Sequence, residues 1–283
     1  MCSSSEVSVN DIHRSIKTLW PAHLVISAMA TTPVALAHTA SKPGTASSGP
    51  AATDVQSVSP ALQAYTESKL IGEVWKGPAL SPRDRSIVTV AALIARNQTI
   101  EMPYHFKRAL DNGVKPKELS EIILHLAFYS GWPNAMAAVM IAKDIFASRG
   151  IGQDQLPAIS PSLLAIDPIA EKRRASRVMQ DVGPVSAKLV EYTGDLLFHE
   201  LWLRPDLAPR DRSLVTVSAL IASGQSAQIT FHLNKAMDNG LTRVQVSEML
   251  THLAFYVGWP NAMSAVPVVR AVFDARPKPD GQP

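Results

Sequence analysis

Two histidines, placed at the same position of a duplicated segment, are the residues best suited to proton chemistry in this sequence. His105 and His232 are 127 residues apart, and Glu101 precedes His105 by one helical turn. A carboxylate on the same helix face can orient an imidazole, select its tautomer and raise its pKa. In the second copy Gln228 replaces Glu101, and an amide can hydrogen-bond the ring but supplies no charge. The pattern therefore predicts two related acid–base sites with different proton affinities.

A second duplicated pair of histidines, His125 and His252, lies within mostly apolar segments. Buried histidines usually satisfy their polar atoms within the protein, for instance with a main-chain carbonyl. A structural role and a place in a ligand pocket are both open for this pair. Trp132 and Trp259 follow the two histidines at equal spacing. They either pack at a turn between helices or form the wall of a substrate pocket.

Arginines at the start of one helix in each copy could bind a substrate carboxylate. A guanidinium group can grip a carboxylate through two parallel hydrogen bonds. The alternative is a salt bridge to Asp84 or Asp211, or to a neighbouring subunit. The sequence leaves both roles open for Arg83, Arg85, Arg210 and Arg212.

Several chemistries are excluded by what the sequence lacks. Cys2 is the single cysteine, so there is no internal disulfide and no Cys-X-X-Cys motif. Neither Gly-X-Ser-X-Gly nor a zinc-type His spacing is present, so we expect no metal and no cofactor. The net charge is +3 and the basic residues are scattered, which argues against nucleic-acid binding and allows a small acidic substrate.

The elements that carry these residues are predicted by a long internal repeat. Residues 58–146 match residues 185–273 without a gap, and a self-match of this length indicates duplication of a whole folding unit. With 283 residues, of which 46% are hydrophobic, the chain is long enough for two cores. We therefore expect two related domains.

Each copy is expected to contain five helices and no strands. Serine followed by proline predicts the first two helix starts, at Ser59 and Ser81. The second helix is apolar nearly all round and should be central and buried. The others are predicted at about 100–111, 116–131 and 133–148. The first helix should carry an apolar face of Leu62, Tyr65, Leu70 and Val74.

The predicted domain limits place a leader and linker before the repeats. Within the leader, Arg14 and Lys17 precede an apolar run that ends in small residues near residue 37, the order of a secretory signal. This favours a periplasmic or secreted protein, with the cytoplasm as the alternative. Prolines and a histidine interrupt the run, so no membrane span is expected in the mature protein. The segments are 1–57 (signal peptide 1–37, then linker), 58–150 (first repeat), 151–183 (connector), 184–275 (second repeat) and 276–283 (tail).

The connector contains a run of charged residues. Residues 169–179 are predicted to form a further helix. Its charges, Glu171, Lys172, Arg173 and Arg174, are expected on the solvated face.

Several of these motifs resemble the carboxymuconolactone decarboxylase family, which includes the alkylhydroperoxidase D-like proteins. They are Pro-Arg-Asp-Arg-Ser-(Ile/Leu)-Val-Thr-Val, the helix with His105 or His232, Asp-Asn-Gly, and His-Leu-Ala-Phe-Tyr-X-Gly-X-Pro. The resemblance covers nearly all of each repeat. It implies a small all-α unit that assembles as trimers or hexamers, and hence a homo-oligomer such as a trimer of tandem chains.

The branch of the family is indicated by three positions in each copy. The peroxidase branch has cysteines seven and four residues before the histidine, where this chain has Gln98 and Glu101, then Gln225 and Gln228. A glutamate of that branch is replaced by serine in both copies. Thiol peroxidase activity is excluded, because that chemistry needs a thiolate.

The resemblance implies a cofactor-free decarboxylase that acts on a small carboxylated lactone or similar acid. In this hypothesis His105 is the electrophile or proton donor, Glu101 sets its protonation, and Arg83 or Arg85 grips a carboxylate that is retained. His232 with Gln228 would form a second, altered site. The alternative is an exported protein on the same scaffold that binds a small molecule without catalysis, or with a different catalysis.

Overall fold

The regular structure is entirely helical in the part of the chain that the computed structural model describes, residues 52–277. Short π and 3₁₀ turns link some of the helices, notably at Val74–Lys76 and Leu201–Leu203. The α-helices in this range are α1 (Ala52–Val58), α2 (Pro60–Tyr65), α3 (Pro82–Ala95), α4 (Met102–Asp111), α5 (Pro116–Ser130), α6 (Trp132–Ser148), α7 (Pro168–Val182), α8 (Ala187–Tyr192), α9 (Pro209–Ala222), α10 (Ser226–Asp238), α11 (Arg243–Val257) and α12 (Trp259–Asp274).

The duplication seen in the sequence is present in the helix order. Helices α2–α6 form the first repeat and α8–α12 the second, while α7 lies between them. The predicted all-α fold with two tandem five-helix units is therefore confirmed. Each repeat keeps the same order of one short helix, one long buried helix and three more helices.

The two long central helices, α3 and α9, form the most extensive contact in the molecule. The Ser81 hydroxyl accepts a hydrogen bond from the Asp84 main-chain N–H at 3.0 Å and so caps α3. Side chains from Ile87 to Ile94 are almost completely buried, as they are in the equivalent stretch of α9. A helix that is apolar on all sides must bury its whole surface. The predicted buried helix is thus confirmed, and its counterpart α9 is one of several helices that bury it, with α4, α5 and α11.

Helices of one repeat also pack on the central helix of the other. Helix α11 contacts α3, and α5 contacts α9. Most buried apolar side chains of both repeats belong to a single cluster. The repeats therefore share one core, and residues on α5 and α11 reach the opposite repeat.

A glycine turn sets the direction of the last two helices in each repeat. Gly131 joins α5 to α6 with φ of 91°, and Gly258 joins α11 to α12 with φ of 87°. Residues with a β-carbon rarely adopt a backbone φ in this positive range, so the turn requires glycine. Pro133 and Pro260 then start the next helix in its first turn.

The predicted apolar face of the first helix is wrong for two of its four residues, whereas Leu70 and Val74 are half-buried. Leu62 is 56% exposed and Tyr65 is 65% exposed. The helix is short and packs chiefly on α1 and on the turn that follows it. The side chains of this region that are buried are Gln63 and Trp75, and Trp75 belongs to the 3₁₀ turn.

The predicted solvated face of the connector helix is wrong for two of its four charges. Arg174 is buried on α7, and its guanidinium donates two hydrogen bonds to the Glu171 carboxylate, at 2.7 and 2.6 Å. The ring of His199 lies 2.8 Å from the same carboxylate. The carboxylate offsets much of the cost of turning this charge inward, although Nη1 of Arg174 is buried without a hydrogen-bond partner. Lys172 and Arg173 are exposed as expected.

The leader and the domain limits stay predictions. The predicted signal peptide, 1–37, lies outside the described residues, as does most of the linker. Helices α2–α6, α7 and α8–α12 fall within the predicted ranges for the first repeat, connector and second repeat. None of the helices within residues 52–277 has the length and apolar character needed to cross a membrane.

Candidate functional site

Two equivalent clusters of aromatic and histidine side chains lie between the repeats, and each takes residues from both. Helix α4 or α10 supplies one histidine, and the adjacent 3₁₀ turn supplies a tryptophan. Helix α11 or α5 of the opposite repeat supplies a second histidine and a tyrosine. The first cluster consists of His105, Trp75, His252 and Tyr256, and the second of His232, Trp202, His125 and Tyr129.

In the first cluster His105 is enclosed by aromatic rings. Trp75 stacks on it with ring centroids 6.1 Å apart, and Tyr256 meets it edge-on at 5.3 Å. The Trp75 indole N–H donates to the Tyr256 hydroxyl oxygen at 2.8 Å. His252 stacks beneath Tyr256 at 4.9 Å. The four rings form one packed unit with little freedom to move.

The second cluster repeats this arrangement to within a few tenths of an ångström. Trp202 stacks on His232 with centroids 6.1 Å apart, and Tyr129 meets His232 edge-on at 5.2 Å. Trp202 donates to the Tyr129 hydroxyl at 2.9 Å. His125 stacks on Tyr129 at 4.8 Å. The duplication has therefore preserved a geometry as well as a sequence.

Burial makes His105 a neutral imidazole at pH 7. The residue is 6% exposed, and burial together with the nearby Arg108 cation lowers its pKa to about 4. Its Nδ1 atom is sealed from solvent and has no hydrogen-bond partner, whereas Nε2 is not sealed. A proton on Nδ1 would be an unsatisfied buried donor. The proton of the neutral ring therefore belongs on Nε2.

His232 has the same character in the second cluster. Burial and the cation of Lys235 lower its pKa to about 4, and its Nδ1 is likewise sealed without a partner. Lys235 occupies the position that Arg108 has in the first repeat. The predicted difference in proton affinity between the two sites gains no support from these values and stays a prediction. Burial and an equivalent cation dominate in both, and neither depends on residue 101 or 228.

Glu101 does not orient the His105 ring. It lies at the start of α4, and its main-chain carbonyl accepts from the His105 main-chain N–H at 3.2 Å. Among the described residues, no hydrogen bond joins its carboxylate to the imidazole. The predicted rise in the His105 pKa is wrong, because a lowered pKa is found. Gln228, its counterpart, is exposed.

His125 and His252 are core histidines with a defined tautomer. Nε2 of His252 lies 2.7 Å from the Thr89 hydroxyl, and that hydroxyl donates to the Arg85 carbonyl at 2.9 Å. The threonine hydroxyl proton is already donated to that carbonyl. His252 Nε2–H must therefore donate to the threonine oxygen. His125 makes the same contact with Thr216, at 2.7 Å. Of the two roles left open, the structural one fits, with a threonine hydroxyl in place of a carbonyl.

Arg85 and Arg212 are buried structural cations. Arg85 donates to three main-chain carbonyls of its own repeat and pairs with Glu248 of the other. Arg212 pairs with Glu121 at 2.9 Å and donates to the Arg204 carbonyl. Each pair ties the start of a central helix to the opposite repeat. Both guanidinium groups are buried and bonded to protein groups, so neither presents accessible N–H donors to a substrate carboxylate.

Arg83 and Arg210 form a reciprocal set of ion pairs where α3 and α9 begin. Arg83 lies 2.7 Å from Asp211, and Arg210 lies 2.6 Å from Asp84. Arg83 also pairs with Glu118 at 2.8 Å. These contacts match the salt-bridge alternative for these arginines. Their proposed substrate-binding role has no support from the geometry.

Trp132 and Trp259 lie apart from both clusters. Trp132 is 56% exposed and Trp259 is 55% exposed, and each meets a phenylalanine of the preceding helix edge-on. Trp132 lines an apolar groove of about 590 Å³ between α5 and α6. Among the described residues, neither tryptophan shares a ring contact with His105 or His232. Both tryptophans follow the glycine turn between two helices, and Trp259 lines a smaller apolar groove of about 220 Å³, so turn packing and a pocket wall both stay open for them away from the histidines.

A cavity of about 370 Å³ adjoins the second cluster. Trp202 and Lys235 line it on one side, and Glu171 and Arg174 of the connector helix line it on another. The Lys235 ammonium lies 4.8 Å from the centre of the Trp202 ring, and no carboxylate within residues 52–277 pairs with it. The cavity therefore offers an aromatic wall and an available cation.

Several residues of the clusters, which the sequence analysis did not single out, are also matched across the repeat. Trp75 matches Trp202, and Tyr129 matches Tyr256, at the offset that relates the histidines. Arg108 corresponds to Lys235, so the positive charge is kept. The guanidinium of Arg108 lies 3.5 Å from the centre of the Trp75 ring. A search for aromatic and charged residues retained in both copies would have found these positions.

No metal centre is evident within residues 52–277. That part of the chain contains no group of three or more His, Cys, Asp or Glu side chains placed to hold an ion. The side chains of each cluster supply a neutral imidazole, a phenol, an indole and a nearby cation.

Comparison with known proteins shows the family to which the chain belongs. The sequence model of the carboxymuconolactone decarboxylase family matches residues 60–144 and 187–271, one match for each repeat. These two segments make up more than half of the chain. The protein is therefore a member of the carboxymuconolactone decarboxylase family, with two family domains in tandem.

Individual relatives are similar to parts of the chain. It is 39% identical over 85 residues to the 4-carboxymuconolactone decarboxylase of Acinetobacter baylyi, which covers 30% of this chain and 63% of that protein. It is 33% identical over 72 residues to nitrosuccinic acid decarboxylase npaB of Metarhizium robertsii, covering 25% and 50%. The chain thus spans about half to two thirds of the length of these relatives.

A solved structure from Burkholderia xenovorans LB400, described as a candidate gamma-carboxymuconolactone decarboxylase subunit, also matches. The TM-score is 0.46 at 18% identity, over 78% of this chain and 89% of the other.

Proposed function

We propose that the protein is a cofactor-free carboxy-lyase that removes carbon dioxide from a small conjugated organic acid, such as a carboxylated lactone. Membership of the family and two relatives named as decarboxylases support this class of reaction. The observation that carries the proposal is the pair of neutral, enclosed histidines, His105 and His232, held in matching aromatic clusters.

Decarboxylation of such an acid needs stabilisation of negative charge. As the carbon–carbon bond to the carboxylate breaks, its electron pair moves into the conjugated carbonyl and places negative charge on oxygen. A hydrogen-bond donor directed at that oxygen lowers the barrier. Neutral His105 can donate from Nε2–H without carrying a charge of its own. Of its two suggested roles, electrophile and proton donor, the neutral state favours electrophile.

The cation beside each histidine attracts the substrate. Arg108 and Lys235 lie over the cluster tryptophans, and no carboxylate within residues 52–277 pairs with either of them. Such a cation can bind a carboxylate that the product retains. We assign this role to Arg108 and Lys235, since Arg83, Arg85 and their counterparts are occupied by protein groups. Binding the departing carboxylate would instead oppose its loss.

Glu101 retains a secondary role in this proposal. Its carboxylate does not contact the imidazole. Burial raises the pKa of Tyr256, and the charge of Glu101 adds a smaller rise, so Glu101 helps to keep that phenol protonated. In the second cluster Gln228 supplies no such charge.

The test is an assay of carbon dioxide release and ultraviolet absorbance with γ-carboxymuconolactone and a panel of small conjugated acids. The wild type should turn over at least one of these compounds, and His105→Ala and His232→Ala should each lose part of that turnover. Binding of an acid by folded wild-type protein, without carbon dioxide release from any member of the panel, would favour the binding-protein alternative.

A further inference from the structure

We propose that Tyr256 and Tyr129 are catalytic residues whose hydroxyl groups donate a hydrogen bond to the substrate oxygen that becomes negative. Each tyrosine serves the histidine of the opposite repeat, so Tyr256 acts with His105 and Tyr129 acts with His232. The inference rests on the proposed carboxy-lyase function and adds to it a second donor and a requirement for both repeats at each site.

The first support is the direction of the hydrogen bonds. Trp75 donates its indole N–H to the Tyr256 oxygen at 2.8 Å, and Trp202 donates to Tyr129 at 2.9 Å. An indole can only donate, so each phenol oxygen acts as acceptor and keeps its own proton to give. Among the described residues, no acceptor takes that proton. Each tyrosine therefore holds a spare donor inside the cluster.

The second support is that the tyrosines are held rigidly next to the histidines. Tyr256 meets the His105 ring edge-on, and His252 stacks on its other side. His252 is fixed in turn through its hydrogen bond to Thr89. Donors that are positioned before the reaction stabilise developing charge most effectively, because no reorganisation is needed. Trp75 is then a positioning residue, since its N–H sets where the phenol proton points.

The third support is the protonation state of the phenols. Burial raises the pKa of both Tyr256 and Tyr129 above the usual value of tyrosine. Both therefore remain neutral donors at pH 7. A donor of this kind stabilises an oxyanion without losing its proton.

The reaction step balances with these groups. The bond between the carboxylate carbon and its neighbour breaks, carbon dioxide leaves, and the electron pair enters the conjugated carbonyl. The resulting oxyanion accepts hydrogen bonds from the tyrosine hydroxyl and from the histidine Nε2–H. The carbon then takes one proton from water as the carbonyl re-forms. Histidine and tyrosine end the cycle as they began it.

The test uses backgrounds in which one cluster has lost its histidine. In His232→Ala the first cluster remains, and we expect Tyr256→Phe to lower kcat by about 10²–10³-fold with a small change in KM. In His105→Ala, Tyr129→Phe should have this effect. Tyr65→Phe and Tyr192→Phe are matched controls, because this exposed pair has the same spacing in the sequence. They should leave turnover unchanged.

Two results would overturn the assignment. One is a Tyr256→Phe variant, in the His232→Ala background, whose kcat stays within about threefold of that background. The other is a loss that follows the tyrosine of the same repeat as the remaining histidine, namely Tyr129 with His105. Phenylalanine keeps the ring packing, so circular dichroism should report the same helix content for all variants.

A binding measurement separates failure of this inference from failure of the proposed function. The probe is 4-nitrophenolate, a planar oxyanion whose absorbance reports its charge. Wild-type protein should bind it, and the Tyr129→Phe/Tyr256→Phe double variant should bind it about tenfold more weakly, as expected for loss of one hydrogen bond per site. Binding that does not depend on the tyrosines, or no binding, would refute the oxyanion site. Tyrosine-dependent binding without turnover of any acid would support the site and refute the carboxy-lyase.

Discussion

At pH 7 the imidazoles of His105 and His232 are uncharged, because burial and a neighbouring cation both oppose protonation. A neutral imidazole keeps its Nε2–H proton and can donate a hydrogen bond from it to an oxyanion, without carrying a charge of its own. The same enclosure keeps the tyrosine phenols protonated. The clusters are therefore sets of neutral donors, with Arg108 or Lys235 as the nearby charge.

The pH profile of kcat/KM tests the neutral state of these histidines. Activity should be constant through pH 6.5 and should fall only as the pH approaches 4, where the two imidazoles take up a proton. NMR titration of the ring resonances provides the independent check. An acid limb near 6.5, or activity that rises on acidification, would show that the protonated ring is the working form.

Acid should also weaken the fold through the buried histidines. The folded-state pKa of His105, His125, His232 and His252 lies below the usual value of 6.5. The free energy of unfolding should be fully retained above pH 6.5 and should fall as the pH drops toward 4. The expected slope is about 1.4 kcal/mol per pH unit for each histidine that protonates on unfolding. Urea melts between pH 7 and 4.5 measure it, and His105→Gln should reduce the slope by one proton.

Replacing Glu101 distinguishes contact from action at a distance. A carboxylate acting through space near the surface contributes on the order of 1 kcal/mol, so Glu101→Gln should lower kcat by less than about tenfold. A direct acid–base partner would cost about 10²-fold or more. Gln228→Glu is the matched variant. It adds a carboxylate beside the second cluster and should raise the kcat of that cluster by less than about tenfold. Loss of activity in Glu101→Gln comparable to that in His105→Ala would contradict the geometry.

At the scale of helices, the pairing of α3 with α9 positions everything else. Both helices start with an arginine and an aspartate that pair across the repeats, and both continue as apolar rods. Helix α11 then packs on α3, and α5 packs on α9. This packing brings Tyr256 to His105 and Tyr129 to His232.

Breaking the pairing where α3 and α9 begin should destabilise the protein. Asp211 is buried and lies within 2.8 Å of both Arg83 and Arg210. Asp211→Asn should lower the free energy of unfolding by about 1–3 kcal/mol, because it weakens hydrogen bonds to two charged groups. Asp206→Asn is the control, since Asp206 pairs with the more exposed Lys117 and should cost less than about 1 kcal/mol. Equal costs in denaturant melts would show that this cluster adds no more than a surface pair.

Local patterns predicted the helices well and the clusters only in part. The buried character of α3 follows from a sequence that is apolar on nearly every face, and the turn at Gly131 follows from a glycine with a proline two residues later. That Tyr256 meets His105 depends on how α11 packs on α3, which no local pattern encodes. The inward turn of Arg174 likewise depends on Glu171 and on the packing of α7. The sequence does indicate which residues form the clusters, because the tryptophans and tyrosines, like the histidines, are matched across the repeat.

At the scale of the molecule, the duplicated repeats share one core and hold two equivalent clusters. Neither repeat holds all four rings of a cluster, so the arrangement requires both. Tandem fusion keeps the two partners together at any protein concentration. The homo-oligomer implied by the family resemblance stays a prediction, which light scattering can test.

A shared core predicts cooperative unfolding of both repeats. Hydrogen exchange of amides in α3 and α9 should occur with the same free energy, equal to that of global unfolding. Mass spectrometry of peptides from the two helices measures this. Exchange from α9 at a clearly lower free energy than from α3 would show that the second repeat opens independently.

The most direct test of the central claim is carbon dioxide release by the His105→Ala/His232→Ala double variant beside the wild type. If the two histidines are the working groups, the wild type releases carbon dioxide from its acid substrate. The double variant should then fall to the uncatalysed rate while it keeps its helical circular dichroism and a cooperative melt. Full turnover by the double variant would contradict the assignment of the chemistry to these clusters.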